Sequence, residues 1–119
     1  MTTKNVLIPE QIEQFHRDGF LLVRGMYSRQ EVDAISRWTD EVAAAPEVPG
    51  KYMMYFEESQ DDGSRILCRI ENFVPYHEGF STLITARRMQ QAVSELFGEP
   101  AVLFKDKINF KLPGGDGFK

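Results

Sequence analysis

Few side chains of this 119-residue chain could bind a catalytic metal. A non-heme iron centre needs two imidazoles and a carboxylate on one face of the ion. The chain has two histidines. His16 is expected to face solvent on a predicted helix, and His77 lies in a predicted loop beside Glu78. Nothing in the sequence requires them to meet, and a lone histidine is most often structural. We therefore predict no metal ligand in this chain.

The single cysteine, Cys68, is the candidate for nucleophilic catalysis. It lies in a predicted strand next to Arg69, whose side chain points to the opposite face and so cannot activate the thiol. A buried cysteine of this kind acts as a small hydrophobic residue. One cysteine also excludes an internal disulfide and a thiolate-cluster zinc site. We predict no catalytic residue here.

The last predicted strand, Ala101 to Leu112, separates apolar from polar side chains. One face carries Val102, Phe104, Ile108, Phe110 and Leu112, with Asp106 as the exception, and the other carries Leu103, Lys105, Lys107, Asn109 and Lys111. The polar face could be a solvated edge on which lysines prevent aggregation. It could instead line a cavity and bind an anion. The alternation alone leaves both interpretations open.

Capping signals and apolar spacing predict three helices. These are Pro9 to Asp18, which Gly19 ends, Arg29 to Ala45 behind a Ser28–Glu31 capping box, and Ala86 to Phe97, which Gly98 ends. The predicted strands are Phe20 to Val23, a hairpin of Tyr52 to Phe56 with Arg65 to Ile70, and Ala101 to Leu112 before a Pro113-to-Gly117 turn. A single domain accounts for all of them.

The composition of the chain limits the kinds of partner that the protein is expected to bind. Hydrophobic residues make up 42% of the chain and charged residues 27%, as in an ordinary globular protein. The net charge of −4 argues against nucleic acid, because no basic excess meets the phosphates. No apolar run approaches the roughly 20 residues that cross a bilayer, and no signal peptide is visible. We expect a cytoplasmic protein that contacts neither membrane nor nucleic acid.

Three segments together resemble the phytanoyl-CoA dioxygenase-like family. They are Leu7 to Gly25 with its Asp18-Gly19-Phe20 turn, Cys68 to Phe73, and Leu103 to Gly115. They follow the family's order and span essentially the whole chain. The resemblance implies an α+β, mainly β fold, namely the N-terminal portion of a double-stranded β-helix (jelly-roll, cupin-like) with flanking helices.

The same resemblance implies an oxygenase that uses Fe(II), O₂ and 2-oxoglutarate to hydroxylate a C–H bond of a small molecule. In the family, iron is bound by a His-x-Asp pair directly after the Pro-Gly-Gly turn and by a distant histidine, near which an arginine binds 2-oxoglutarate. We therefore expect every metal ligand beyond Lys119, in a missing C-terminal half of the domain. The 119-residue chain alone should be inactive.

Family position carries two residues over as contacts of 2-oxoglutarate, and strand facing adds a third. Arg69 matches a basic residue on an early strand, and Lys107 matches a position on the strand before the metal motif. Asn109, two residues further on the same face, is a weaker third candidate. Cations suit a dicarboxylate because charge-assisted hydrogen bonds are strong. The resemblance thus favours the cavity-lining interpretation of the polar face.

An alternative is a truncated, non-catalytic paralogue that binds an anion or a partner. The continuation after Lys119 distinguishes the two: a His-x-Asp pair there indicates an enzyme, and a small residue in place of the acid would suggest a halogenase. An isolated piece would leave apolar strand faces uncovered, which favours the enzyme. The substrate stays open among metabolites, natural-product intermediates and acyl thioesters.

Overall fold

The computed structural model describes residues 5–116, so Gly117 of the predicted turn lies outside the described part. The elements are α1 (Pro9–Asp18), α2 (Arg29–Ala43), β1 (Met53–Glu58), β2 (Arg65–Glu71), a 3₁₀ helix (Val74–Tyr76), α3 (Glu78–Thr85), α4 (Arg87–Phe97) and β3 (Lys107–Asn109). No helix in this part of the chain is long and apolar enough to span a membrane.

The three predicted helices are confirmed, together with their caps. Gly19 ends α1 with a φ of 82°, and its N–H donates to the Phe15 carbonyl at 2.8 Å. At the start of α2, the Ser28 hydroxyl accepts from the Glu31 N–H at 3.1 Å, and the Glu31 carboxylate accepts from the Ser28 N–H at 2.8 Å. Helix α2 ends at Ala43, two residues before the predicted end.

Helix α3 was not predicted, and His77 was expected to lie in a loop. The structure makes His77 the residue that caps α3: its Nδ1 accepts from the Phe80 N–H at 3.2 Å. Its Nε2 lies 2.7 Å from a Glu41 carboxylate oxygen on α2. A histidine is not a usual N-cap and the helix has only 8 residues, so neither its start nor its periodicity signals it.

The sheet has three antiparallel strands in the order β1-β2-β3, which confirms the hairpin. Tyr55 pairs with Arg69 and Phe56 with Leu67, so Cys68 is the extra residue of a β-bulge in β2.

Two predicted strands are corrected. Phe20 to Val23 is not a strand, and of Ala101 to Leu112 only Lys107–Asn109 pairs. Alternation sets which way side chains face, but a strand also needs a neighbour to complete its hydrogen bonds. No described strand pairs with Phe20 to Val23 or with Ala101 to Asp106. Phe20 is 64% exposed and Phe104 is 96% exposed.

The core lies on one face of the sheet, under the helices. Its buried cluster consists of Val42, Ile70, Phe73, Val74 and Phe80. Met54 and Ile108 pack against it from β1 and β3, as does Trp38 from α2. The helices therefore cover one face of the sheet and leave the other to polar side chains. Helices with a small antiparallel sheet fit the predicted fold class, and a closed jelly roll stays a prediction.

Candidate functional site

The polar face of the sheet brings the three predicted site residues together. Residues directly opposite on antiparallel strands share a face. Arg69 pairs with Asn109 and Glu71 pairs with Lys107, while Tyr55 lies opposite Arg69 on the other side. These five side chains form what we call the polar face. Its neighbours in sequence, such as Ile70 and Ile108, point into the core.

The side chains of Arg69 and Asn109 are joined by a hydrogen bond. The guanidinium Nε donates to the Asn109 Oδ1 at 3.1 Å, and the Arg69 side chain is 19% exposed. The guanidinium carbon lies 5.9 Å from the centre of the Tyr55 ring. Since the Asn109 carbonyl oxygen accepts this bond, its amide nitrogen presents two N–H donors that have no partner among residues 5–116. The pair offers donors suited to an anion.

Glu71 is the site residue that sequence reasoning missed. It is 3% exposed, and its Oε1 lies 2.6 Å from the Lys105 ammonium. Its Oε2 lies 3.4 Å from Arg69 Nη1. The hydrogen bond from Lys105 lowers the pKa of the Glu71 carboxyl, whereas burial acts in the opposite direction. Its position two residues after Arg69 signalled the shared face, but nothing in the sequence signalled its burial.

Lys107 is exposed and lies opposite Glu71 in the sheet register. Within the described residues its ammonium has no ion pair or hydrogen bond. A lysine without a protein partner beside a bonded Arg–Asn pair can accept an anionic ligand without first breaking a contact.

Asp106, the exception in the predicted apolar face, has a structural role. Its carboxylate accepts from the Phe73 N–H at 3.0 Å and from the Val74 N–H at 3.3 Å. It therefore caps the 3₁₀ helix from a distant part of the chain and ties the segment before β3 to the core. This contact fixes the backbone position from which the Lys105 and Lys107 side chains project.

The remaining reactive groups are held in structural roles. The Cys68 thiol donates to the Tyr55 carbonyl at 3.3 Å, and burial raises its pKa, assisted by the Glu57 carboxylate. This supports its reading as a small hydrophobic residue. His16 and Asp18 have the His-x-Asp spacing, but both lie on α1, where residues two apart do not face each other. The Asp18 carboxylate is bonded to Arg17 at 3.1 Å.

The described residues do not fit an iron site. Between positions 5 and 116, no three His, Cys, Asp or Glu side chains come together to hold a metal. The polar face and neighbouring Lys105 instead carry three cations and one carboxylate, which suits a dianion. The chemistry supported by this part of the chain is therefore the binding of an anion.

Among the cavities of the described part, two bear on the location of the site. One of about 310 Å³ lies beside Glu71 and is lined also by Met53, Leu103 and Phe104. Another of about 500 Å³ lies among α2, α3 and α4 and is mostly apolar. The Tyr27 hydroxyl, on the wall of the latter, is buried without a hydrogen-bond partner in residues 5–116. Neither cavity is lined by Arg69, Lys107 or Asn109, so we place the candidate site on the polar face itself, with the smaller of these two cavities beside it at Glu71 and Lys105.

The Pro-Gly-Gly turn packs closely on the β1–β2 hairpin. The Gln60 N–H donates to the Gly114 carbonyl at 2.9 Å, and the Asp116 N–H donates to the Glu57 carboxylate. A Cβ on Gly114, where φ is 84°, would lie 2.6 Å from the Ser59 hydroxyl, and one on Gly115 would lie 2.8 Å from a Glu57 carboxylate oxygen. Gly114 is therefore needed for close approach, whereas at Gly115 the group in the way is the movable end of the Glu57 side chain.

Comparison with known proteins matches residues 15–118 to the family model of phytanoyl-CoA dioxygenase (PhyH). The 2-aminoethylphosphonate dioxygenase of Uncultured bacterium HF130_AEPn_1 is 48% identical over 92% of this chain and 42% of its own length. The methylphosphonate hydroxylase of Gimesia maris is 32% identical over 94% of this chain and 42% of its own length. A probable alpha-ketoglutarate-dependent hypophosphite dioxygenase of Stutzerimonas stutzeri is 24% identical over 92% of this chain and 39% of its own length.

The chain thus spans about 42% of the length of the first two relatives. No solved structure matches it. The family match extends over most of the chain and includes the Asp18-Gly19-Phe20 turn of the first segment and the whole of the other two segments from which the resemblance was inferred. The chain belongs to the phytanoyl-CoA dioxygenase (PhyH) family.

Proposed function

We propose that the complete protein is an Fe(II)- and 2-oxoglutarate-dependent dioxygenase that hydroxylates a C–H bond of a small organophosphonate. The observation that carries this proposal is the meeting of Arg69, Lys107 and Asn109 on one polar face of the sheet. Family membership and the names of the relatives support the reaction class and the substrate class.

The polar face is proposed to bind 2-oxoglutarate. The co-substrate is a dianion, and a guanidinium and an ammonium form its strongest protein contacts. Arg69 is held in place by Asn109, so little side-chain freedom is lost when it binds a carboxylate. Lys107 adds a mobile cation, and the Asn109 amide nitrogen adds neutral donors.

The described part of this chain cannot hold the iron by itself, because no three His, Cys, Asp or Glu side chains come together in it. When bound, iron would activate O₂, the oxidant, to break an unactivated C–H bond, and 2-oxoglutarate would be oxidised to succinate and CO₂ as the co-substrate. The role of residues 5–116 is to bind and orient the co-substrate beside that centre and to contribute one wall of the pocket. Both the missing half of the domain and the cytoplasmic location stay predictions.

An organophosphonate is the proposed substrate because the two relatives that match at 48% and 32% identity are named for phosphonates. The substrate expected from the sequence was a metabolite, a natural product or an acyl group, and the proposed class is now an organophosphonate. An acyl thioester becomes the comparison substrate in the test.

The first experiment measures succinate formation by the complete protein with Fe(II), O₂ and 2-oxoglutarate. Methylphosphonate and 2-aminoethylphosphonate should each be tried against an acyl thioester. We expect phosphonate-dependent succinate and a hydroxylated product. A chlorinated product in the presence of chloride would indicate a halogenase. Binding of 2-oxoglutarate without turnover of any substrate would indicate the non-catalytic alternative.

Variants test the assignment of the polar face. Arg69→Ala, Lys107→Ala and Asn109→Ala should weaken 2-oxoglutarate binding, with Asn109 having the smallest effect because it is neutral. The loss for each cation should be about tenfold or more, as for a charge-assisted hydrogen bond. Arg37→Ala removes an exposed cation from α2, on the helical side of the sheet, and is the matched control. Unchanged affinity in all three variants would contradict the assignment.

A further inference from the structure

Glu71 is a buried carboxylate in the middle of a cationic site. At 3% exposure it is, with Ser59, one of two buried polar residues in the described part. Burying a charge is costly unless it is paired. Glu71 is paired twice, with Lys105 at 2.6 Å and with Arg69 at 3.4 Å. A carboxylate in this place would repel an anionic ligand if it met that ligand directly.

We propose that Glu71 is a positioning residue, which acts through Arg69 and Lys105 to hold the cationic groups that bind the co-substrate. The inference rests on the proposed function and extends it to a residue that was not carried over from the family. Glu71 itself does not contact the ligand. Its side chain is 4% exposed, whereas those of Arg69 and Lys105 are 19% and 54% exposed.

The geometry shows how the positioning works. Arg69 is bonded to Asn109 through Nε and to Glu71 through Nη1, so two partners fix the plane of its guanidinium. Lys105 comes from the unpaired segment before β3 and reaches across to the end of β2. Without Glu71, Lys105 would lose the one ion pair found for it among residues 5–116 and would regain its rotamer freedom on an exposed segment.

The balance of charge supports the same inference. Arg69, Lys105 and Lys107 with Glu71 leave a net charge of +2, which matches a dianion. Removing Glu71 would raise the net charge to +3, so a purely electrostatic role predicts tighter binding in a Glu71 variant. A positioning role predicts weaker binding, because the donors are no longer held in one arrangement. The two roles therefore differ in sign.

The experiment uses the complete protein loaded with Mn(II), so that 2-oxoglutarate binds without turnover. Calorimetry should give the Kd for 2-oxoglutarate in the wild type and in Glu71→Gln, which keeps the shape of the side chain and removes its charge. We expect Kd to rise about tenfold, while kcat of the iron-loaded enzyme at saturating 2-oxoglutarate changes by less than about twofold. The exposed carboxylate Glu58 at the end of β1 provides the control Glu58→Gln, which should leave Kd unchanged.

A second variant keeps the inference testable if Glu71→Gln fails to fold. Lys105 is half exposed, so Lys105→Met should fold, and it removes the same ion pair from the other side. If Glu71 acts through Lys105, the double variant should bind 2-oxoglutarate no more weakly than the weaker single variant. Unchanged or tighter binding in Glu71→Gln, or in Lys105→Met where only that variant folds, would overturn the inference. A wild type that does not bind 2-oxoglutarate would instead overturn the proposed function.

Discussion

Two carboxylates in the described part of this protein, Glu31 and Glu71, each hold more than one partner. Glu31 is an example outside the site: it completes the capping box of α2 and also pairs with Arg88 of α4 at 2.9 Å. Arg88 in turn donates to the Met26 carbonyl at 2.9 Å and lies 4.8 Å from the centre of the Tyr27 ring. A single carboxylate thus connects the start of α2 to α4.

The Glu31 network predicts a pH dependence of stability. Hydrogen bonds from Arg88 and Ser28 lower the pKa of Glu31 from 4.5 to about 2. Because the folded-state pKa lies below that of the unfolded chain, the stabilisation is complete above pH 4.5 and is lost as the pH falls toward 2. Glu31→Gln should therefore lower the Tm near neutral pH and flatten its decline in that acidic range.

Thermal unfolding of the complete protein between pH 2 and 6 measures this effect. Asp33→Asn is the control, because Asp33 is an exposed acid on the same helix whose one ion pair among residues 5–116 is with Arg29. If the Glu31 variant and the wild type lose stability in parallel on acidification, the ion pair with Arg88 does not contribute.

At the scale of helices and strands, the helical layer depends on a close contact between α2 and α3. Gly79 in the first turn of α3 lies against the Trp38 ring of α2. Trp38 in turn contacts Phe80, with ring centres 5.8 Å apart, and packs on the buried cluster. Helix α3 therefore begins where the chain has both a cap, His77, and a residue without a side chain.

Gly79→Ala should destabilise the protein, contrary to the usual effect in a helix. Alanine in place of glycine normally stabilises a helix by roughly 0.5–1 kcal/mol. Here a Cβ would lie 2.6 and 2.8 Å from two carbons of the Trp38 ring. Overpacking of this kind costs about 1–3 kcal/mol, so the contact outweighs the propensity. Urea unfolding measures the difference, with Thr82→Ala on the exposed side of α3 as control. A stabilised Gly79→Ala would show that α2 and α3 are not in close contact.

The sequence predicted those elements whose signals are local. The caps at Ser28, Gly19 and Gly98 lie within a few residues of the helix ends that they specify, and the period of two placed Arg69, Lys107 and Asn109 on one face. What it missed depends on distant residues. The burial of Glu71 requires its ion pair with Lys105. Ala101 to Asp106 was predicted to be strand and is not, because a strand requires a neighbouring strand that no local pattern supplies.

At the scale of the whole molecule, the chain is extended and leaves apolar side chains in water. Its radius of gyration is 17.1 Å, whereas a compact domain of this length has about 13.5 Å. Val102 and Phe104 are 85% and 96% exposed, on a segment predicted to be strand. Backbone and side chains of this segment are thus available for pairing.

A polypeptide limited to these 119 residues should therefore self-associate and bind a hydrophobic dye. Val102→Ser with Phe104→Ser should reduce both effects, because the pair removes most of that apolar surface. In the complete protein the same double variant should instead lower the Tm if the segment is covered there. Size-exclusion chromatography and dye fluorescence measure the first effect. Val32→Ser, an exposed apolar position on α2, is the control. A monomeric, dye-free polypeptide would contradict this prediction.

The packing of the Pro-Gly-Gly turn on the hairpin limits how these segments can diverge among related sequences. Gly114 has a φ of 84° and no room for a side chain, because Ser59 occupies the space that one would need. A larger residue at Gly114 therefore calls for a compensating change some 55 positions earlier in the chain. Pro113 is exposed and has no such restriction from the hairpin. The turn and the hairpin tip should consequently vary together, as one inherited unit.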